Sequence, residues 1–344
     1  VSVGKVTLDL DQMMQSKSDI VSTLTGGIDF LFKKNKITRL QGTASIIAPG
    51  KIKIATGKDK GEYQTEKIMI ATGSHPSSLP GITIDESRIV SSTGALSLET
   101  LPKKMSVIGA GYIGLELGTV WGRLGAEVEV IEYLPRILPG MDSEVAKKFM
   151  TIAKKQGLKF RLSTVVKSAK PEKNGVTLTV TPVDGGAEET VRADVVLVSV
   201  GRHPATDELG LDKLGVTMTP LGRIAVDRRF ETSIEDIYAI GDVVDGPMLA
   251  HKAEEDAIAA VEMMAGKAGH VDYDQVPGIV YTAPEIATLG KSEDVLKDAG
   301  IDYAKGVFPF SANSRARVQG HPDGFVKILA CARTDKVLGV HIIG

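Results

Sequence analysis

The sequence predicts the α/β class, with strands and helices alternating through the middle of the chain. Three observations predict it. Short apolar runs ending in glycine recur at Gly73, Gly109, Gly201 and Gly241, as buried strands that deliver tight turns do. From Met105 to Glu132, "MSVIGAGYIGLELGTVWGRLGAEVEVIE" passes from strand to helical spacing and back to strand. A second helix then follows, which Asp142 can cap and Gly157 can end.

The elements follow in order. Residues 9–37 have helical spacing with a polar face, a Gly-Gly interruption and a basic end. Residues 38–46, 51–56 and "KIMIATGS" at 67–74 predict strands separated by turn residues. Residues 77–104 carry two prolines and many hydroxyls, which reads as a connecting segment. Strand, helix, strand and the helix 143–156 come next. Three strand-like pieces run to Thr190, and "ADVVLVSVG" (193–201) predicts a buried strand. "DIYAIGDVV" (236–244) is a further strand, with a helix around 251–265. From Val271 the pattern is strands with one helix near 292–299.

Composition narrows the function classes. The 344 residues are 42% hydrophobic and 24% charged, enough for several globular cores. A formal net charge of −2 supplies no basic field for nucleic acid or an anionic membrane surface. No apolar run reaches the roughly 18 residues of a spanning helix. "VSVGKVTLDLDQMMQSKS" shows no targeting peptide. The single cysteine, Cys331, excludes a disulfide pair within these residues and reads as a buried strand cysteine. The histidines show no metal-ligand spacing, so no metal site is expected.

The glycines of the opening motif have separate tasks. Gly109 permits the turn out of the strand, Gly111 lets the backbone approach a pyrophosphate, and Gly114 lets the helix lie close on the sheet. Ile113, Leu117, Val120, Trp121 and Leu124 are expected on the buried side, with Gly118 and Gly122 continuing the close-packed face. Glu132, at the end of the second strand, stands where an acid accepts hydrogen bonds from an adenosine ribose, which favours NAD over NADP. Arg136 nearby weakens that preference. Asp242, after the strand-end Gly241, can bind a ribitol or sugar hydroxyl, or be a solvated turn acid. "IMIATGS" reads as a second strand delivering amides and hydroxyls to a ligand.

"VIGAGYIGLELG", "TSIEDIYAIGDVVDGPMLAHKAEEDAI" and "FPFSANSRA", with "IVSSTGALSL" and "YTAPEIATLGKSE", resemble the dihydrolipoamide dehydrogenases of the class I pyridine nucleotide-disulfide oxidoreductase family. The resemblance runs over essentially the whole chain and is nearest in wording to the mitochondrial branch. It implies a Rossmann-like flavoprotein fold with two dinucleotide-binding domains and an α+β C-terminal dimerisation domain, incomplete in this chain. The implied parts are a partial FAD-binding domain (1–76), an NAD-binding domain (77–204), a central and FAD-binding segment (205–270) and a partial dimerisation domain (271–344). The implied NAD contacts are Gly109, Ala110, Gly111, Tyr112, Ile113, Gly114, Leu115, Glu116, Glu132, Val166 and Gly201. The implied FAD contacts are Ala44, Thr72, Gly73, Ser74, Asp242, Met248, Leu249, Ala250 and His251. Glu116 would lie near the nicotinamide and flavin, able to pair with a lysine; its plain alternative is a helix-surface acid.

The implied reaction is oxidation of protein-bound dihydrolipoyl groups with NAD as acceptor. The implied setting is a homodimer that meets the lipoyl domains of 2-oxo acid dehydrogenase complexes in the mitochondrial matrix, or in the cytoplasm of a bacterium. Three family features are missing here: a first Gly-x-Gly-x-x-Gly for FAD, a Cys-x4-Cys disulfide, and a His-Pro segment whose histidine carries the proton. His341 is not that histidine. A piece of a longer enzyme, truncated at both ends and holding no catalytic residue of its own, is therefore expected. The alternatives are a non-catalytic NAD-binding fragment, or a glutathione-reductase-like or mercuric-reductase-like flavoprotein. Glu132 argues against the members that prefer NADP.

Overall fold

Strands that are apolar at successive positions must be covered on both faces, and a parallel sheet meets that need. The computed structural model describes residues 3, 4 and 6–344, and places such a sheet in the first of two compact units, which holds Pro76–Gly201 and Asp274–Gly344. Lys104–Ile108 lies at its centre, between Val195–Val198 and Glu127–Ile131, with Ile89–Val90 and Lys159–Arg161 at the edges. All four pairings are parallel. Helices Tyr112–Leu124 and Ser143–Lys155 supply the crossovers that parallel neighbours require.

One face of this sheet packs on a three-stranded antiparallel sheet of Thr164–Glu172, Gly175–Pro182 and Glu189–Ala193. Ile89, Ile108, Ile131, Leu178, Val180 and Val196 form the apolar layer between them. Burying each such side chain contributes about 1.5–3 kcal/mol. The C-terminal part of the unit is a five-stranded antiparallel sheet, in the order Gly278–Val280, Ile286–Gly290, Val337–Ile343, Phe325–Cys331 and Tyr303–Pro309.

The second unit holds Asp11–His75 and Arg202–Tyr273. It contains an antiparallel sheet of Ala44–Ala48, Lys51–Ile54 and Gly61–Gln64, and the parallel pair Ile68–Ile70 and Ile237–Ala239. Ile68, Ile70, Ile237, Ala239, Val243 and Val244 are buried together, so the strand that ends at Gly241 is a core element. Helix Ala250–Met264 lies where the sequence placed it.

Several expectations need correction. Helix Leu10–Lys34 runs unbroken through Gly26 and Gly27 and buries none of its residues. The first strand begins at Ala44 instead of near residue 38. The supposed connector 77–104 holds the edge strand Ile89–Val90 and the short helix Ser92–Ala95, the latter capped by Ser91. Cys331 is half-exposed at the end of its strand, where the chain turns back at Asp335. On helix Tyr112–Leu124 the buried residues are Gly114, Leu115, Gly118, Thr119 and Trp121; of the residues expected there, Trp121 is buried, Ile113, Leu117 and Leu124 are half-buried and Val120 is exposed. Gly114 and Gly118 lie against Val107 of the central strand.

A buried ionic cluster ties the cap of helix Ser143–Lys155 to the C-terminal sheet within the first unit. The Asp142 carboxylate accepts the N–H groups of Glu144 and Val145 at 3.1 and 3.3 Å, as the sequence predicts for a cap. It also accepts the Glu293 N–H at 3.1 Å and the Lys327 Nζ at 2.9 Å. Lys327 further pairs with Glu293 and with Glu144, the latter at 3.0 Å, and both Asp142 and Lys327 are fully buried. Burial pushes the Asp142 carboxyl up, but hydrogen bonds from Lys327 and Glu293 outweigh it and hold it below the ordinary range. Glu293 is lowered in the same way, against burial, by Lys327, Lys297, Tyr303 and Lys305. His341 is buried beside this cluster with Nε2 3.1 Å from the Lys291 carbonyl, and burial lowers its pKa.

Lys327→Met leaves the buried Asp142 carboxylate without its lysine while Glu293 keeps Lys297 and Lys305, so the unfolding free energy at neutral pH is expected to fall by about 3–5 kcal/mol. Both carboxyls titrate lower in the folded protein than in the unfolded chain. Their contribution is therefore complete above about pH 4 and is lost as pH falls through the lowered values. Denaturant titrations of parent and variant at about pH 7 and about pH 3 should show the gap narrowing in acid. A gap of equal size at both pH values would contradict this account.

Candidate functional site

The turn between Lys104–Ile108 and Tyr112–Leu124 is shaped by backbone contacts. Gly109 has φ +101°, and a Cβ there would meet the Ser199 carbonyl oxygen. A Cβ at Gly114 would run into the Gly109 carbonyl oxygen and the Ser199 hydroxyl. At Gly111, the N-cap, no side chain caps the helix and a Cβ would meet open space. The helix N-terminus thus presents its backbone to open space, which suits a pyrophosphate. Ser199 was missed in the sequence; its hydroxyl donates to the Ile108 or Gly109 carbonyl, at 3.0 and 3.2 Å.

Glu132 is 8% exposed, and its carboxylate is engaged on both oxygens. One oxygen accepts the Ala110 N–H at 2.7 Å and the other the Leu134 N–H at 2.8 Å. The strand-end acid therefore fixes the glycine turn, a task its position in the sequence did not reveal. Each carboxylate oxygen keeps a second lone pair for a ribose hydroxyl. Arg136 turns its guanidinium to the Met141 carbonyl and lies 3.9 Å from Asp294, which occupies the one cation that weakened the reading of NAD.

The remaining residues of this site are more dispersed. Tyr112 and Ile113 are half-buried in the first turn of the helix, and Leu115 is fully buried, so its side chain serves the core. Glu116 accepts the Tyr281 N–H at 2.8 Å, and desolvation raises its carboxyl pKa despite that bond. It is not a plain surface acid, and among the described residues no lysine pairs with it. Val166 lies on the separate antiparallel sheet, half-buried at the bulge that precedes Ser168. Gly201, φ +116°, follows strand Val195–Val198, and its carbonyl accepts the Ser77 N–H at 3.0 Å.

A second concentration of polar groups lies in the other unit. Strand Ile68–Ile70 leads to Thr72, Gly73 and Ser74, and its neighbour Ile237–Ala239 leads to Gly241 and Asp242. The Ser74 hydroxyl donates to Asp242, and Arg202 Nε donates to the same hydroxyl oxygen at 2.7 Å. Thr72 is exposed and donates to the Ala205 carbonyl at 2.6 Å. Asp242 is thus a half-buried, engaged acid and not a solvated turn acid. Met248 and Leu249, half-buried, lead into Ala250 and His251 at the start of helix Ala250–Met264. Ala44 belongs to a different sheet and is exposed. Arg202 was missed; the strand-end "GRHP" was its only signal.

Residues 3–257 match the family described as pyridine nucleotide-disulphide oxidoreductase, and residues 276–344 match its dimerisation domain. The chain belongs to this family. It is 54% identical over 344 residues to the mitochondrial dihydrolipoyl dehydrogenase of Pisum sativum, covering all of this chain and 69% of that protein. Against the human mitochondrial dihydrolipoyl dehydrogenase it is 51% identical, covering all of this chain and 68% of the relative. It is also 53% identical to leghemoglobin reductase of Glycine max, covering 66% of that protein. Among solved structures, LpdA from Mycobacterium tuberculosis matches at 26% identity and TM-score 0.91, covering 99% of this chain and 75% of that one. RclA, an HOCl-induced flavoprotein disulfide reductase from Escherichia coli, matches at 25% identity and TM-score 0.87, covering 98% and 76%.

Membership of the pyridine nucleotide-disulphide oxidoreductases brings FAD and NAD(H) as cofactors. The open space at Gly111 and the remaining lone pairs of Glu132 fit a dinucleotide. Gly73, with φ +74° and open space where a Cβ would stand, and the engaged Asp242 fit part of a second one.

Two glycine variants separate the tasks within the turn and its helix. Gly114→Ala must displace backbone and should remove NAD binding together with much of the stability of the first unit. Gly118→Ala should instead be neutral or stabilising by up to about 1 kcal/mol, because its methyl would make ordinary contacts, at 3.4 and 3.5 Å, with Val107 and Val128. Thermal melts and NADH titrations decide both, and similar losses from the two variants would refute the distinction. Glu132→Ala leaves two amides without an acceptor, and should lower stability by about 1–3 kcal/mol and weaken NADH binding about tenfold or more. Unchanged NADH affinity in a folded variant would remove the ribose role while leaving the turn role intact.

Proposed function

We propose that the chain forms part of a flavin-dependent oxidoreductase that oxidises protein-bound dihydrolipoyl groups with NAD as acceptor. The observation that carries this reading is the identity to dihydrolipoyl dehydrogenases, maintained over every residue of the chain. The chain spans about two thirds of the length of those relatives. Its NAD-binding domain would be 77–204, with FAD-binding parts at 1–76 and 205–270 and dimer contacts at 271–344. Lipoyl domains of 2-oxo acid dehydrogenase complexes would be its partners, and its location the mitochondrial matrix, or the cytoplasm of a bacterium; relatives named mitochondrial support the former. Among the described residues, no helix is long and apolar enough to cross a membrane.

When bound, the flavin and the nicotinamide supply two-electron chemistry that no side chain of this sequence can perform. The residues of the chain bind and orient. The amides at Gly111 and Tyr112 would meet the NAD pyrophosphate, and Glu132 the adenosine ribose. Ser74 and Asp242 would hold the ribitol side of the flavin, with Thr72, Gly73, Ala44 and Met248–His251 as further FAD contacts. Glu116 would lie near the nicotinamide, and Val166 and Gly201 would be further NAD contacts. Dithiol exchange needs two sulfurs in one site, and these 344 residues contain only Cys331.

The test is an assay of the full-length, FAD-loaded enzyme of which these residues form part, with dihydrolipoamide and either NAD or NADP. NADH should form at least about tenfold faster than NADPH, and Asp242→Ala should lower flavin content. Failure to oxidise dihydrolipoamide, with glutathione disulfide reduced by NADPH instead, would replace this reading by a glutathione-reductase-like one. The identity to leghemoglobin reductase favours a second reading, reduction of a haem protein by NADH, and ferric leghemoglobin in the same assay tests it.

A further inference from the structure

We propose that the buried residues Lys252 and Asp256, helped by Tyr273, form a clamp that sets the Gly241–Asp242 turn and so positions the FAD-holding carboxylate. Nothing in the sequence pattern assigned these three residues a role. The inference rests on the reading of Asp242 as a flavin ligand.

The geometry is reciprocal. Asp256 Oδ2 accepts the N–H of Gly241 at 3.0 Å, and Lys252 Nζ donates to the carbonyl of the same glycine at 3.0 Å. The two side chains are paired with each other at 2.7 Å, four residues apart on one helix face, and both are fully buried. Gly241 has φ +71°, and a Cβ there would lie 3.1 Å from that of Ala253. Both polar groups of a left-handed residue are thus held by one ion pair. Tyr273 closes the arrangement: its hydroxyl donates to Asp256 Oδ1 at 2.9 Å, and its ring centroid lies 5.1 Å from Lys252 Nζ.

Stability alone does not account for this pair. Removing two charges from water is costly, and apolar residues of similar volume often pack at least as well. An apolar pair cannot, however, bind the N–H and C=O of Gly241. The next residue is Asp242, whose carboxylate meets Ser74, which Arg202 holds in turn. Polar contacts therefore run from Tyr273 through Asp256 to Gly241, and from the adjoining Asp242 to Ser74 and Arg202. Lys252, Asp256 and Tyr273 are positioning residues, because they reach the flavin only through the turn.

The experiment compares three variants of the FAD-loaded protein with an Asp242→Ala control, reading FAD dissociation constant, flavin absorption spectrum and melting of the apoprotein. Lys252→Met/Asp256→Leu leaves the buried N–H and C=O of Gly241 unpaired, so it should fold with a lowered apoprotein melting temperature and bind FAD about tenfold more weakly, with a shifted flavin spectrum. Lys252→Gln/Asp256→Asn, which keeps a donor and an acceptor for Gly241 without charge, should restore binding. Tyr273→Phe should weaken FAD binding about threefold. A folded Lys252→Met/Asp256→Leu with parental affinity and spectrum overturns the clamp. If that variant fails to fold, parental affinity in Tyr273→Phe overturns it instead. Asp242→Ala separates the two levels. Parental affinity there overturns the flavin placement and the clamp together, whereas weakened binding there with parental clamp variants overturns the clamp alone.

Discussion

A helix can approach a sheet only as closely as its side chains allow, and in the first unit that distance is set at Gly114. The Gly109 carbonyl and Ser199 hydroxyl occupy the space a methyl would need. Because the helix starts so near the strand end, its uncapped N-terminus opens over the carboxyl edge of the parallel sheet, at the place where such sheets receive ligands. The position of the neighbouring strand follows as well. Glu127–Ile131 must bring Glu132 within reach of Ala110, and the 2.7 Å bond between them closes the turn.

The same device recurs at three places: a buried or half-buried carboxylate accepting a backbone N–H at a turn that would otherwise be free to move. Glu132 holds Ala110, Asp256 holds Gly241, and Asp142 holds Glu293. Hydrogen bonds to a charged acceptor are stronger than neutral ones, and backbone donors have no rotamer freedom to lose. Glu132 and Asp256 therefore fix the turns that follow two strand ends, and Asp142 fixes the start of a helix.

Much of this was legible in the sequence because it is local. The strand–helix–strand unit, the Asp142 cap and the helix after Leu249 each depend on residues a few positions apart. What was not legible depends on distant partners. Ile89–Val90 is two residues long and becomes a strand only by pairing with Val196 and Leu197. Lys327, in an alternating run, reads as a solvent-facing charge until Asp142, 185 residues away, is brought beside it. Lys252 and Asp256 look like any helical ion pair, since the sequence does not show that Gly241 lies against them. The glycine turn was thus readable as a motif, but the hold of Glu132 on Ala110 and Leu134 was not.

The ionic cluster around Lys327 also has a thermal character that the apolar layers lack. Hydration of charged groups becomes less favourable on heating, so the penalty for keeping Asp142 and Lys327 dry diminishes as temperature rises. The apolar contribution per unit area levels off over the same range. On warming, the joint between the helix cap and the C-terminal sheet therefore gains relative to the packed layer beneath the parallel sheet, and in the cold the order reverses.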